Sequence, residues 1–139
     1  KTLKNKKMRL LSNHPTEVLI LFFLIVTFLQ SGIDKVLDWT GNVGFITEHF
    51  KNSPLKNSVP ILLAVITIME IIASLLMIFG VYQLYTSEVK EISLLGIELS
   101  AITLIFLLVG QRLAKDYAGA MSLAVYFIIS IIGVYLLNS

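Results

Sequence analysis

The stretch "VPILLAVITIMEIIASLLMIFGVYQL", Val59 to Leu84, carries one ionisable carboxyl, Glu70, in an otherwise apolar run. At about 1.5 Å per residue, a helix of this length exceeds the roughly 30 Å hydrocarbon core of a bilayer. A charge at the centre of such a helix costs about 2.5 to 3.5 kcal/mol on the insertion scale. The Leu, Ile, Val and Phe residues between Val59 and Val81 each return about 0.3 to 0.6. The segment therefore inserts despite Glu70.

Three further runs of the same kind lie on either side: Val18 to Leu37, Ile92 to Leu113 and Tyr117 to Leu137. An unpaired backbone amide in lipid costs several kcal/mol, so each run is expected to be a helix. The expected fold is all-α, an integral membrane four-helix bundle over residues 18–139 behind a basic tail at 1–17. The composition, 56% hydrophobic and 14% charged over 139 residues, belongs to lipid rather than water. No low-complexity segment or internal repeat divides the chain. The basic flank and apolar run at the start resemble a signal peptide, but no small-residue cleavage site follows, so the first helix reads as an anchor.

Ser58 with Pro60 forms a candidate start for the second helix, and Asp116 is a candidate cap for the fourth. Gly41 is a candidate stop for the first. Lysine and arginine placement then sets orientation. Lys1, Lys4, Lys6, Lys7 and Arg9 crowd the start, and Lys90 lies on the same side. Lys35, Lys51, Lys56, Arg112 and Lys115 lie on the other. The dense first cluster decides, placing both termini in the cytoplasm.

This topology gathers two polar patches at the outer end. Gln30, Asp34 and Asp38 recur every fourth residue on the first helix, with Lys35 beside them. The turn "GQRLAKDYAG", Gly110 to Gly119, contributes Gln111, Arg112, Lys115, Asp116 and Tyr117. The expected pairings are Asp34 or Asp38 with Arg112, and Lys35 with Asp116. The run from Val18 to Ile33 spans only about 24 Å, so Gln30 and Asp34 are expected to face protein. The cluster reads either as an ion-pair network, with Trp39 and Tyr117 at the interface and Lys35 reaching to water, or as a site for an anionic ligand or quinone head group.

Glu70, about 15 Å along its helix from Pro60, is expected near the membrane midplane. An intramembrane carboxyl can carry a proton, contact a ligand or hydrogen-bond a neighbouring helix. For Glu98, nearer the cytoplasmic end, the hydrogen-bonding role is expected. Thr67, Glu70 and Ser74 form one small polar stripe; Gly119, Ser122, Tyr126, Ser130 and Gly133 form another, and both read as packing seams.

Other chemistry finds no residues to run it. The chain has no cysteine, hence no thiolate metal site or thiol redox couple of its own. No HExxH, phosphate loop or GxGxxG occurs, and His14 and His49 are placed in the tail and the outer loop, with no haem pair inside. His49 reads as a solvated loop residue. The basic residues form no stripe interleaved with aromatics, so nucleic acid is not an expected partner.

With these features in hand, the combination of "FLQSGIDKVLDW" (Phe28 to Trp39), "EIIASLLMIFG" (Glu70 to Gly80) and "GQRLAKDYAGAMSLAVYFIISIIGVYLL" (Gly110 to Leu137) resembles the DoxX family of small four-helix bacterial membrane proteins. The resemblance runs from about Val18 onward. Gly32, Asp34, Lys35, Glu70, Gly80, Gln111, Arg112, Asp116, Tyr117 and Gly119 are its family-like positions. It implies a multi-pass protein of the bacterial cytoplasmic membrane, in contact with lipid and with other redox subunits. The expected role is a non-catalytic accessory subunit of a redox or respiratory complex. Alternatives are a quinone-linked oxidoreductase component of the thiosulfate:quinone type and a small transporter or proton conductor centred on Glu70. No intrinsic cofactor is expected, and a quinone is the candidate external one. By itself the chain shows no catalytic constellation and is not expected to be an enzyme in isolation.

Overall fold

The computed structural model describes residues 13–139, which form five helices and, among those residues, no strand. They are α1 (Pro15–Leu37), α2 (Trp39–His49), α3 (Val59–Ser87), α4 (Glu91–Leu113) and α5 (Tyr117–Leu137). The four long helices coincide with the four apolar runs, and each is long and apolar enough to cross a membrane. The basic cluster from Lys1 to Arg9 lies outside the described residues.

The termini of these helices follow local chemistry. Pro60 sits in the first turn of α3, after Ser58, whose hydroxyl makes no capping bond. Asp116 caps α5 as its position predicts, its Oδ1 accepting from the Gly119 amide at 2.9 Å. Between α4 and α5 the chain turns through Lys115 at φ 61°, with Asp116 N donating to Gln111 O and Lys115 N to Arg112 O. This pair of bonds is a Schellman turn, and it carries Gln111 and Asp116 to the same end of the molecule.

The added element is α2, in a stretch expected to be loop. Asp38 both ends α1 and starts α2, its carboxylate accepting from the Gly41 amide at 3.2 Å. Gly41, expected to stop the first helix, thus lies in the first turn of the next. Two glycines in eleven residues, each costing about 1 kcal/mol of helix propensity, concealed α2 in the sequence.

α3 packs against α4, α4 against α5, and α1 against α3, with α5 closing on α1. His14, at the start of α1, meets Glu88, just past α3, at 3.3 Å. Late in α1, Gly32 lies against Ile71 and Glu70. α1 and α3 are therefore antiparallel, and α4, joined to α3 by a short turn, runs with α1.

The core is Leu21, Leu24, Phe28, Met77, Ile97 and Leu104 with their neighbours. Glycine sets the α3–α4 distance. A Cβ on Gly80 would stand 2.6 Å from Ser93 Cα, and one on Gly96 would stand 2.9 Å from Met77 N. Close approach of this kind supplies the dispersion contacts on which helix association in lipid depends. The outer surface is the reverse of a soluble protein, with Leu19, Val26, Ile61, Ile68, Met121, Ile128 and Tyr135 all exposed. In water such patches would drive association, whereas in a bilayer they meet lipid. This is a multi-pass membrane protein.

Five buried hydroxyls are satisfied within their own helices, whereas Ser93 Oγ, pressed against Gly80, and Tyr85 OH have no partner among the described residues. Thr67, Ser74, Ser100, Thr103 and Ser130 each donate to the carbonyl four residues back. Of the two small polar stripes, Thr67, Glu70 and Ser74 are buried together, but on α5 only Ser130 and Gly133 are, while Ser122 is exposed.

Candidate functional site

Between α1 and α3 lies a buried ion pair. Lys35 Nζ donates to Glu70 Oε1 at 2.8 Å, with only 15% of the lysine side chain and 4% of the glutamate exposed. The same ammonium donates to the Ser31 hydroxyl and, at 3.3 Å, to the Ser31 carbonyl. Three N–H groups therefore have three acceptors, which is what a buried ammonium requires. Glu70 lies about 17 Å along α3 from Val59, deep in the span.

Periodicity explains why Lys35 is available. Leu21, Leu24, Phe28 and Gly32 form the buried stripe of α1, and Lys35 continues it one turn on. Gly32 presents no side chain to α3, so the helices approach and the lysine can reach the carboxylate. Expected to reach toward water, Lys35 instead turns inward.

The same geometry corrects three neighbours. Gln30, Asp34 and Asp38 are exposed, although the short apolar run led us to expect Gln30 and Asp34 against protein. Two residues along a helix is a rotation of about 200°, so residues 30 and 34 point away from the stripe defined by 28 and 32. The backbone of this edge is tied to α2, because Asn42 Nδ2 donates to the carbonyls of Asp34 and Asp38. Neither acid pairs with Arg112, and Lys35 does not pair with Asp116. Glu98, expected to bond a neighbouring helix, is exposed on α4 and has no partner among the described residues.

A second cluster forms at the same end, around a residue the sequence reading set aside. His49 is half-buried at the end of α2, its Nε2 2.9 Å from Gln111 Oε1 and 3.5 Å from Asp116 Oδ2. Its ring stacks on Phe45 at 6.3 Å and meets the edge of Phe50 at 5.3 Å. Phe50 in turn lies over Gly110. The signal was present as Phe45 and His49 at i, i+4 followed by Phe50, an aromatic face on a short helix. Arg112 lies 5.8 Å from the centre of the Tyr117 ring, a cation–π contact on an exposed aromatic. Trp39 is half-buried at the α1–α2 junction.

His49→Ala is expected to lower stability by about 1 to 2 kcal/mol, through loss of one hydrogen bond and of ring packing. Limited proteolysis should then cut between residues 39 and 58 well before the long helices. An unchanged digestion pattern would mean that α2 is held by other contacts.

Beyond α2, Lys51 pairs with Glu48 at 2.7 Å on the surface. The hydrogen bond to Glu48, followed by its charge, holds the Lys51 ammonium above its usual range, with slight desolvation opposing. So exposed a pair adds little to stability. Among the described residues no group of three or more metal-ligating side chains gathers.

The fold and site together define a multi-pass α-helical protein with a closed Lys35–Glu70 ion pair between two of its long helices. Compared with known proteins, the chain matches no family model, no curated protein and no solved structure.

Proposed function

We propose that this chain is a DoxX-like protein of the bacterial cytoplasmic membrane, acting as a non-catalytic accessory subunit of a redox or respiratory assembly, with both termini in the cytoplasm. The observation that carries the reading is the closed Lys35–Glu70 pair. A proton carrier or ligand contact needs a group free to change partners, whereas this ammonium has all three donors engaged within the chain. The pair thus favours docking over conduction. The polar end formed by α2, Gln111, Arg112, Asp116 and Tyr117 supplies groups that a partner outside the membrane could grip.

Mild-detergent purification from native membranes through a tag after Ser139 tests this proposal, with mass spectrometry of proteins and extracted lipids. A stoichiometric redox or respiratory protein is the expected companion. Recovery of the chain alone would remove the accessory reading, and recovery with bound quinone would favour a quinone-linked component. In the latter case Glu70→Gln should abolish turnover of the quinone-coupled reaction while the protein stays inserted and abundant.

A further inference from the structure

The outer face of α1 carries polarity that none of the described residues covers. Gln30 and Asp34 are exposed there, about 10 Å and 4 Å short of the helix end at Leu37, among exposed Leu19, Val26 and Ile33. In a lone chain Gln30 would face hydrocarbon and Asp34 its boundary, and a neighbouring helix that satisfies them stabilises both.

Complementary groups lie on α4. Glu98, Ile102, Ile105, Val109 and Arg112 are all exposed and recur at alternating steps of four and three, the spacing of a straight seam along one helix face. Arg112 stands one residue before the end of α4 and has no carboxylate partner among the described residues, only the Tyr117 ring. Because α1 and α4 run in the same direction, the Asp34–Asp38 edge of one and Arg112 of the other lie at the same side of the membrane. Apolar residues lie below each.

We propose that this protein self-assembles head to tail, the outer face of α1 in one copy packing on the outer face of α4 in the next, with Arg112 meeting Asp34 and Asp38. A two-fold contact through α1 would instead set Asp34 against Asp34, a like-charge pair. The contact is thus heterologous, and rotation about an axis along the membrane normal closes it into a ring. It is independent of any redox partner.

The absence of cysteine makes the test clean. Ile33→Cys and Val109→Cys, which lie level when Arg112 stands between Asp34 and Asp38, are carried on differently tagged full-length chains expressed in one membrane and oxidised before solubilisation. The expected product is a mixed disulfide joining the two tags, and a chain bearing both substitutions should give a ladder of covalent multimers. Absence of the mixed product, or exclusive 33-to-33 crosslinking, would overturn the proposal. In this background Arg112→Asp or Asp34→Arg alone should lower crosslinking about tenfold, and the two together should restore it. Failure of the double reversal to restore crosslinking would also overturn it. If one reversed chain fails to fold, the crosslink between otherwise native chains still decides.

Discussion

Glu70→Leu alone should destabilise the protein by about 3 to 5 kcal/mol, because it strands the Lys35 ammonium between two helices with one acceptor gone. Lys35→Met should cost a similar amount by leaving the Glu70 carboxylate buried and unpaired. The double substitution Lys35→Met with Glu70→Leu should recover most of the loss, since an apolar pair of comparable volume has no charge to desolvate. Glu70→Gln should fall between, as its amide oxygen still accepts from the lysine. Reversible unfolding in mixed micelles measures all four. The deciding quantity is the coupling between the single losses. If the losses simply add, the two residues do not act as a pair, and the explanation for the position of Lys35 fails with them.

The second large effect concerns the seam between α3 and α4. A side chain at Gly80 meets the backbone of Ser93, which cannot rotate aside as a long side chain could. Gly80→Leu should therefore push the helices apart and cost about 1 to 3 kcal/mol or more, with Gly80→Ala losing a smaller part. Gly44 provides the control. Nothing stands within 4 Å of a Cβ built there, so Gly44→Ala should stabilise α2 by about 0.5 to 1 kcal/mol through helix propensity. Thermal unfolding in detergent should thus move in opposite directions for the two glycines. Equal tolerance at both would mean that the α3–α4 approach is not set by Gly80.

The contrast between these glycines also shows what the chain discloses before folding. The long helices were legible because each is a long apolar run, two of them with a local punctuation mark, Pro60 for α3 and Asp116 for α5; the end of α1 was read at Gly41, whereas the helix stops at Asp38. α2 was not, since Gly41 and Gly44 weaken its propensity and none of its residues is buried. Lys35 and Glu70 were both recognisable as candidate site residues, but not as partners. Their meeting depends on how far α1 slides along α3 and on the rotation that turns residue 35 inward, neither of which is written in either segment alone. His49 was missed for a related reason. Its importance comes from Gln111 and Asp116, which the turn after α4 brings beneath it.

The Lys35–Glu70 bond has a further consequence for biogenesis. α1 leaves the ribosome before α3, so the lysine reaches the bilayer first, near the end of its helix where an ammonium can still touch the head-group region. Glu70 arrives later and about 17 Å along the longest helix, where an isolated charge would be more costly. By then its counter-charge is already waiting. The order of synthesis is thus the order in which the expense is smallest: the tolerant charge is delivered first and serves as the receptor for the intolerant one. A chain with the two residues exchanged would keep the same pair in the finished protein, yet would send its lysine in at mid-span and its acid at the edge.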